Sequence, residues 1–145
     1  MVGWSNVSNA GASDNAYATA SLSPTTQSHY LKATNFGFSI PAGAAISGIV
    51  VEVERKESGA GVAQDNRVRI VKGGTIGTTD KASASEWPTS DAYATYGSDI
   101  DLWGETWTVD DINASNFGVA VSALGLTNSG TASIDHIRIT VYYLT

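Results

Sequence analysis

The chain has 145 residues, a hydrophobic share of 42%, a charged share of 15% and a formal net charge of −6. This length sets a single domain able to bury a real core, and an acidic balance with four scattered arginines (Arg55, Arg67, Arg69, Arg138) excludes a nucleic-acid or anionic-membrane surface. The absence of cysteine excludes disulfides, thiolate metal sites and a cysteine nucleophile, and no stretch reaches the roughly 20 apolar residues of a membrane span.

Met1-Val2-Gly3-Trp4-Ser5 has neither the basic start nor the apolar run of a secretory signal, so the expected product is made in the cytoplasm. Residues 1–15 are rich in Gly, Asn, Ser and Ala and read as an irregular N-terminal arm on a single β-sandwich domain at 16–145. Trp4 is the arm's one large apolar anchor and is expected to dock on a neighbour. Residues 16–22 form a first short strand. Residues 29–40 form a second, with Tyr30, Ala33, Phe36 and Phe38 as apolar members, and Pro41-Ala42-Gly43 turns the chain after it.

The clearest strand runs from Ile46 to Lys56, where Ile49, Val51 and Val53 alternate with Val50, Glu52 and Glu54. Arg67 to Lys72 reads as its hairpin partner, across a loop from Glu57 to Asn66. Pairing Val53 with Val68 and Val51 with Ile70 sets Glu54 opposite Arg67 and Glu52 opposite Arg69. Residues 75–92 read as a short strand plus loops, with a corner at Trp87-Pro88. Residues 93–96 form another strand. Thr108-Val109-Asp110-Asp111 has the pattern of a capping box and predicts one helical turn. Phe117 to Ala123 is a strand, and Gly125 to Gly130 a turn. The last strand, Ile134 to Tyr143, puts Ile137, Ile139, Val141 and Tyr143 on one face and His136, Arg138, Thr140 and Tyr142 on the other. Asp135 falls on the apolar parity while Ile134 does not, which predicts a bulge or a strand start there.

Two phrases are echoed. Leu31-Lys32-Ala33-Thr34-Asn35-Phe36-Gly37 returns as Ile112-Asn113-Ala114-Ser115-Asn116-Phe117-Gly118, and Ser13–Thr19 returns, one residue shorter, as Ser90–Thr95. Short strands, glycine-rich turns and no long helical periodicity specify an all-β, antiparallel β-sandwich. About eight strands in two related halves make it jelly-roll-like rather than immunoglobulin-like. The echo predicts equivalent buried positions for Phe36 and Phe117.

The strings YATASLS, ATNFGFSIPAGAAISGIVVEVERK, VRIVKGGTIG, WPTSDAYATYGSDIDLWGETWTVDDINASNFGVAV and ASIDHIRITVYY resemble a family of small β-sandwich proteins. That family occurs among structural proteins of tailed bacteriophages and in viral environmental sequences. The resemblance runs from about Tyr17 to Tyr143. It implies a virion component, a head decoration (cement) protein or a tail-associated module, with the major capsid or a tail protein as partner. It also implies a homo-oligomer, with a trimer fitting three-fold capsid sites. It carries no catalytic residue set, and neither nucleic acid nor membrane enters as a partner.

Other constellations give weaker signals. His29 and His136 are the only histidines, and Asp135-His136 adjacency does not make a triad, since strand neighbours point oppositely. Glu52 and Glu54 share a face but have arginine partners in the proposed hairpin, so an acid/base pair is not favoured. Asp99-Ile100-Asp101 with Asp110-Asp111 offers oxygens for calcium without EF-hand spacing, and aspartates serve turns in their own right. No cofactor, metal or catalytic residue is therefore assigned, and the chain reads as a non-enzyme. The alternative function is a carbohydrate-binding module, with Trp87, Trp103, Trp107, Tyr93 and Tyr96 as a sugar-stacking platform. Against it stands the ordinary use of Trp and Tyr to fill a sandwich core.

Overall fold

The computed structural model describes all 145 residues. Eight strands form: β1 (Ala18–Leu22), β2 (Leu31–Thr34), β3 (Ala45–Glu57), β4 (Ala63–Lys72), β5 (Thr75–Ile76), β6 (Ala92–Ser98), β7 (Gly118–Gly125) and β8 (Gly130–Leu144). One sheet has the order β1-β8-β3-β6 and the other β2-β7-β4-β5. All pairings are antiparallel, and the first half of the chain pairs with the second in reverse order: β1 with β8, β2 with β7, β3 with β6, β4 with β5. A long hairpin rolled up in this way is a jelly roll.

The core lies between the sheets. Ile49, Val51 and Val53 of β3 and Ile134, Ile137 and Ile139 of β8 face Val68 and Ile70 of β4 and Val119 and Val121 of β7. Phe117, Trp103 and Ile112 are among the largest fully buried side chains in it. The single helical turn α1 (Val109–Asn113) carries the predicted box: Thr108 Oγ1 accepts from Asp111 N–H, and the Asp111 carboxylate accepts from Thr108 N–H.

Three expectations need correction. β3 and β4 do not pair; they belong to opposite sheets. Glu52 instead meets Arg138 of β8, with bonds of 3.0 and 3.1 Å, and Arg67 meets Asp80 at 3.5 Å. What joins the β3 and β4 ends is a buried pair, Arg55 and Asp65, 2.6 Å apart. Second, the echoed phrases adopt unlike backbones. Asn35 and Gly37 are left-handed, with φ of 62° and 76°, whereas Ile112 and Asn113 end a helix and Gly118 begins β7. Phe117 is fully buried and Phe36 only half-buried. The phrases meet rather than superpose: Thr34 pairs with Gly118, and Asn35 N–H donates to Ser115 C=O at 2.9 Å.

Third, the N-terminal segment is part of the body. Val2 N–H donates to Gln27 C=O at 3.0 Å, and Ser5 and Thr19 exchange bonds of 2.8 and 3.0 Å along the outer edge of β1. A short 3-10 turn at Val7–Ala10 buries Ala10.

Candidate functional site

The predicted irregularity at Asp135 is a β-bulge. Glu54 pairs with His136 and Arg55 with Ile134, leaving Asp135 unpaired. The bulge divides β8 in two. Residues 130–134 are covered by β1, but beyond the bulge a single bridge, Gly11 to His136, touches that edge. From Ile137 to Leu144 the backbone is paired on the β3 side alone. The same stretch exposes large apolar side chains, Tyr142, Tyr143 and Leu144.

Beside this open edge runs a groove of about 610 Å³. Ile137, Ile139, Leu31 and Ala33 line its apolar part, and Phe36 and Phe38 stand beside them. The two rings stack with centroids 6.2 Å apart, and Phe38 packs edge-on against Phe117 at 5.8 Å. Left-handed Asn35 and Gly37 flank Phe36 and bend the chain out of β2. Lys32, Asn35, His136 and Arg138 supply the polar lining. Arg138 is fixed on three sides: by Glu52, by the Tyr93 ring 4.0 Å from its guanidinium carbon, and by the strand. Tyr93 Oη is 2.8 Å from His136 Nδ1, so both rings are held.

The residues proposed as a sugar platform do not form one. Trp87 is 4% exposed, Trp103 1% and Tyr96 6%. Each finds an internal partner for its polar end, as buried Trp and Tyr require. Trp87 Nε1–H donates to Asp65 at 2.9 Å, Trp103 Nε1–H to Ile49 C=O at 2.9 Å, and Tyr96 Oη–H to Asp65 at 2.6 Å. Burial first, and then Asp65, pushes the Tyr96 phenol upward. Trp107 is half-buried edge-on against Phe117, and Tyr93 lies on the outer face beside Arg138. Trp4 packs on its own chain, and its Nε1–H donates to His29 C=O at 2.8 Å.

In the acidic runs weighed for calcium, Asp101 and Asp111 have structural partners. Burial works to push the Asp101 carboxyl up, but Lys81 at 2.6 Å and the Trp103 N–H outweigh it and hold it low. Asp110 and Asp111 occupy the first turn of α1. A different set converges on the outer side of the β1–β6 sheet: Glu54, Asp91 and Asp135, with ligand oxygens all within 4.8 Å of one another. Sequence reading missed both this set and the groove. Asp91 and Asp135 are 44 residues apart in the chain, and Phe36 and Phe38 looked like strand-core residues. The readable signal for the groove is the left-handed pair of residue types, Asn and Gly, on either side of Phe36.

No family model and no curated protein matches this chain. A solved structure described as "CBM4 structure and function" aligns with it at 12% identity, covering 90% of this chain and 87% of the other, with a TM-score of 0.47.

Proposed function

We propose that the chain is a non-enzymatic structural protein of tailed-bacteriophage particles, a capsid decoration protein acting through protein–protein contacts. The observation that carries this reading is the open half of β8. An unpaired strand edge is a row of free N–H and C=O groups ready to take another strand, and monomeric proteins blunt such edges with Lys or Pro. Here the edge ends in Tyr142, Tyr143 and Leu144. Strand addition would supply main-chain bonds along the edge, with the neighbouring groove receiving side chains. The family resemblance supplies the setting, a virion, and the partner, an extended segment of a major capsid or tail protein. A trimer of the chain fits three-fold sites on a head.

The test is a mass-spectrometric inventory of gradient-purified particles, with light scattering of the free chain. Expected are a fixed stoichiometry to the major capsid protein and loss of particle retention in the double variant Y142K/L144K, whose thermal midpoint stays near that of the parent. Particles that lack the chain, or that retain the variant fully, overturn the reading. The half-exposed Phe36 ring among Asn35, His136 and Arg138 gives specific support to a second reading, a glycan in the groove. A glycan array distinguishes it: binding abolished by F36A and untouched by Y142K/L144K selects the sugar.

A further inference from the structure

We propose that the outer face of the β2–β7–β4–β5 sheet docks a short acidic segment of a partner protein, with carboxylates alternating along an extended backbone. Val68 and Ile70 of β4, and Val119 and Val121 of β7, lie in the core. Alternation therefore puts Arg67 and Arg69 on the outer face, with Ala120 and Ser122 beside them. The register sets two rows. Lys32, Ala120 and Arg69 align across β2, β7 and β4, and Ser122 pairs with Arg67 in the next row. Ala120 adds only a methyl group between the two cations, whose Cα atoms lie about 9–10 Å apart, twice the strand spacing.

These cations are not balanced from within. The four ion pairs of the chain, Arg55–Asp65, Arg67–Asp80, Lys81–Asp101 and Arg138–Glu52, leave out Lys32 and Arg69. Lys32 Nζ donates to a neutral oxygen, Gly74 C=O at 3.1 Å. Arg69 Nε is closed off from solvent and finds no acceptor. The guanidinium groups of Arg55, Arg67 and Arg138 all donate within the fold. Asp80 holds Arg67 loosely, at 3.5 Å, while its other oxygen serves the Val68 and Ala82 N–H groups. A closed-off donor without an acceptor is costly, and so are like charges across one row of a sheet. A carboxylate arriving between Lys32 and Arg69 relieves both.

The spacing selects the segment. Arg67 and Arg69 stand two residues apart on one strand, about 6.8 Å, which is the repeat of alternate side chains in any extended peptide. Beside Arg67 a recess of about 190 Å³, lined in part by Tyr30, Asn66 and Ser122, receives the second carboxylate. A body of net charge −6 repels a long polyanion, so three cations suit a short acidic stretch. The inference rests on the protein-contact reading above and adds a second face to the strand edge.

Fluorescence anisotropy with a labelled Gly-Ser peptide carrying Glu-x-Glu, titrated with the full chain, tests the face without particles. Saturable binding that weakens between about 20 and about 150 mM salt is expected. R69Q and K32Q should each weaken it about tenfold with circular dichroism and thermal midpoint unchanged, and Y142K/L144K should bind like the parent. A peptide with the two glutamates adjacent should also bind about tenfold more weakly. No binding at low salt overturns the face, as does equal affinity in the parent and R69Q or for the two peptides. Self-association of the parent that R69Q abolishes assigns the face to a second copy and overturns the acidic-segment partner. Peptide binding by a chain absent from particles upholds the face and removes the virion setting alone. No peptide binding, with particle retention still lost in Y142K/L144K, removes the face and keeps the edge.

Discussion

Glu57 is a carboxyl group held at 2% exposure, with its Oε1 accepting from the N–H groups of Val62 and Ala63 at 3.0 and 2.9 Å. Glu86 binds the next donor along the same loop, the Gly61 N–H. Burial is the largest influence on Glu57 and raises its pKa above 4.5; Glu86, exposed and bonded to Gly61, moves down. Each acts on the other in the same sense, Glu86 adding to the rise at Glu57 and Glu57 to the fall at Glu86. A raised pKa means that the folded chain keeps a proton the unfolded chain has released. The stability contributed by Glu57 is therefore complete below its ordinary value and is lost as pH rises through the raised one. Glu57→Gln keeps the acceptor oxygen and fixes the neutral form. Its thermal midpoint should match or exceed that of the parent at neutral pH and should fall less steeply with rising pH, as scanning fluorimetry from acid to neutral pH will record. A parent-like slope in the variant removes Glu57 as the cause. Phe117 makes the opposite kind of contribution, through apolar packing alone: it is fully buried, with Trp107 edge-on at 5.4 Å and Phe38 at 5.8 Å. Phe117→Ala should cost about 3–5 kcal/mol by chemical denaturation. Phe36→Ala, at a half-exposed groove position, should cost well under half of that. Equal costs would place both rings in the core.

At the level of elements, the closest backbone approach is where β2 pairs with β7. A Cβ on Gly118 would sit 1.8 Å from Ala33 C=O, so only glycine lets the two backbones pair there. Gly97 serves likewise on β6: at φ 85° it leaves room for the Trp103 indole to reach Ile49 C=O. Gly118→Ala should destabilise by about 3 kcal/mol, at the upper end for overpacking, and amide exchange should speed up in β2 before the rest of its sheet. Uniform exchange would show that the β2–β7 pairing is not a local weak point. The strands themselves were legible in the sequence because period-2 alternation is a local signal, and β3, β7 and β8 all fell close to their predicted ranges. Sheet membership was not legible. Glu54 and Arg67 look like a cross-strand pair to any reading that assumes neighbouring strands form a hairpin, whereas the β3–β4 connection crosses between sheets. The residues that hold that crossing, Arg55 and Asp65, carry charges that sequence assigns to the surface. Desolvated together, and bonded to Tyr96 and Trp87, they become an internal staple. The groove and the carboxylate triad were hidden for a related reason: each joins residues from strands that only the rolled topology brings together.

Across the whole molecule, the chain treats the β1 side of the β1–β6 sheet unequally along its length, because β8 runs on beyond the end of β1. The outer side of β1 is covered by the N-terminal segment, through the pair of backbone hydrogen bonds that Ser5 and Thr19 exchange. The second half of β8 lies open. A body with net charge −6 gains some protection from self-association by repulsion alone, yet charge does not satisfy free N–H and C=O groups on a strand. The covering of β1 is therefore expected to act as protection as well as support. Removing residues 1–11 would take away the Ser5–Thr19 pair, the Val2–Gln27 bond, the buried Ala10 and the indole of Trp4, while keeping Ser13 to Tyr17 on the carboxylate triad. At about 1 kcal/mol for each net hydrogen bond, the truncated chain should lose about 2–4 kcal/mol and remain folded. Its weight-average mass by light scattering should rise with concentration beyond that of the full chain, because a second strand edge has been uncovered. Placing the truncation in the Y142K/L144K background separates the two edges. Association that persists there belongs to β1, and association that vanishes there belongs to β8. A truncated chain with unchanged stability and unchanged mass would mean that the first eleven residues neither support nor shield the fold.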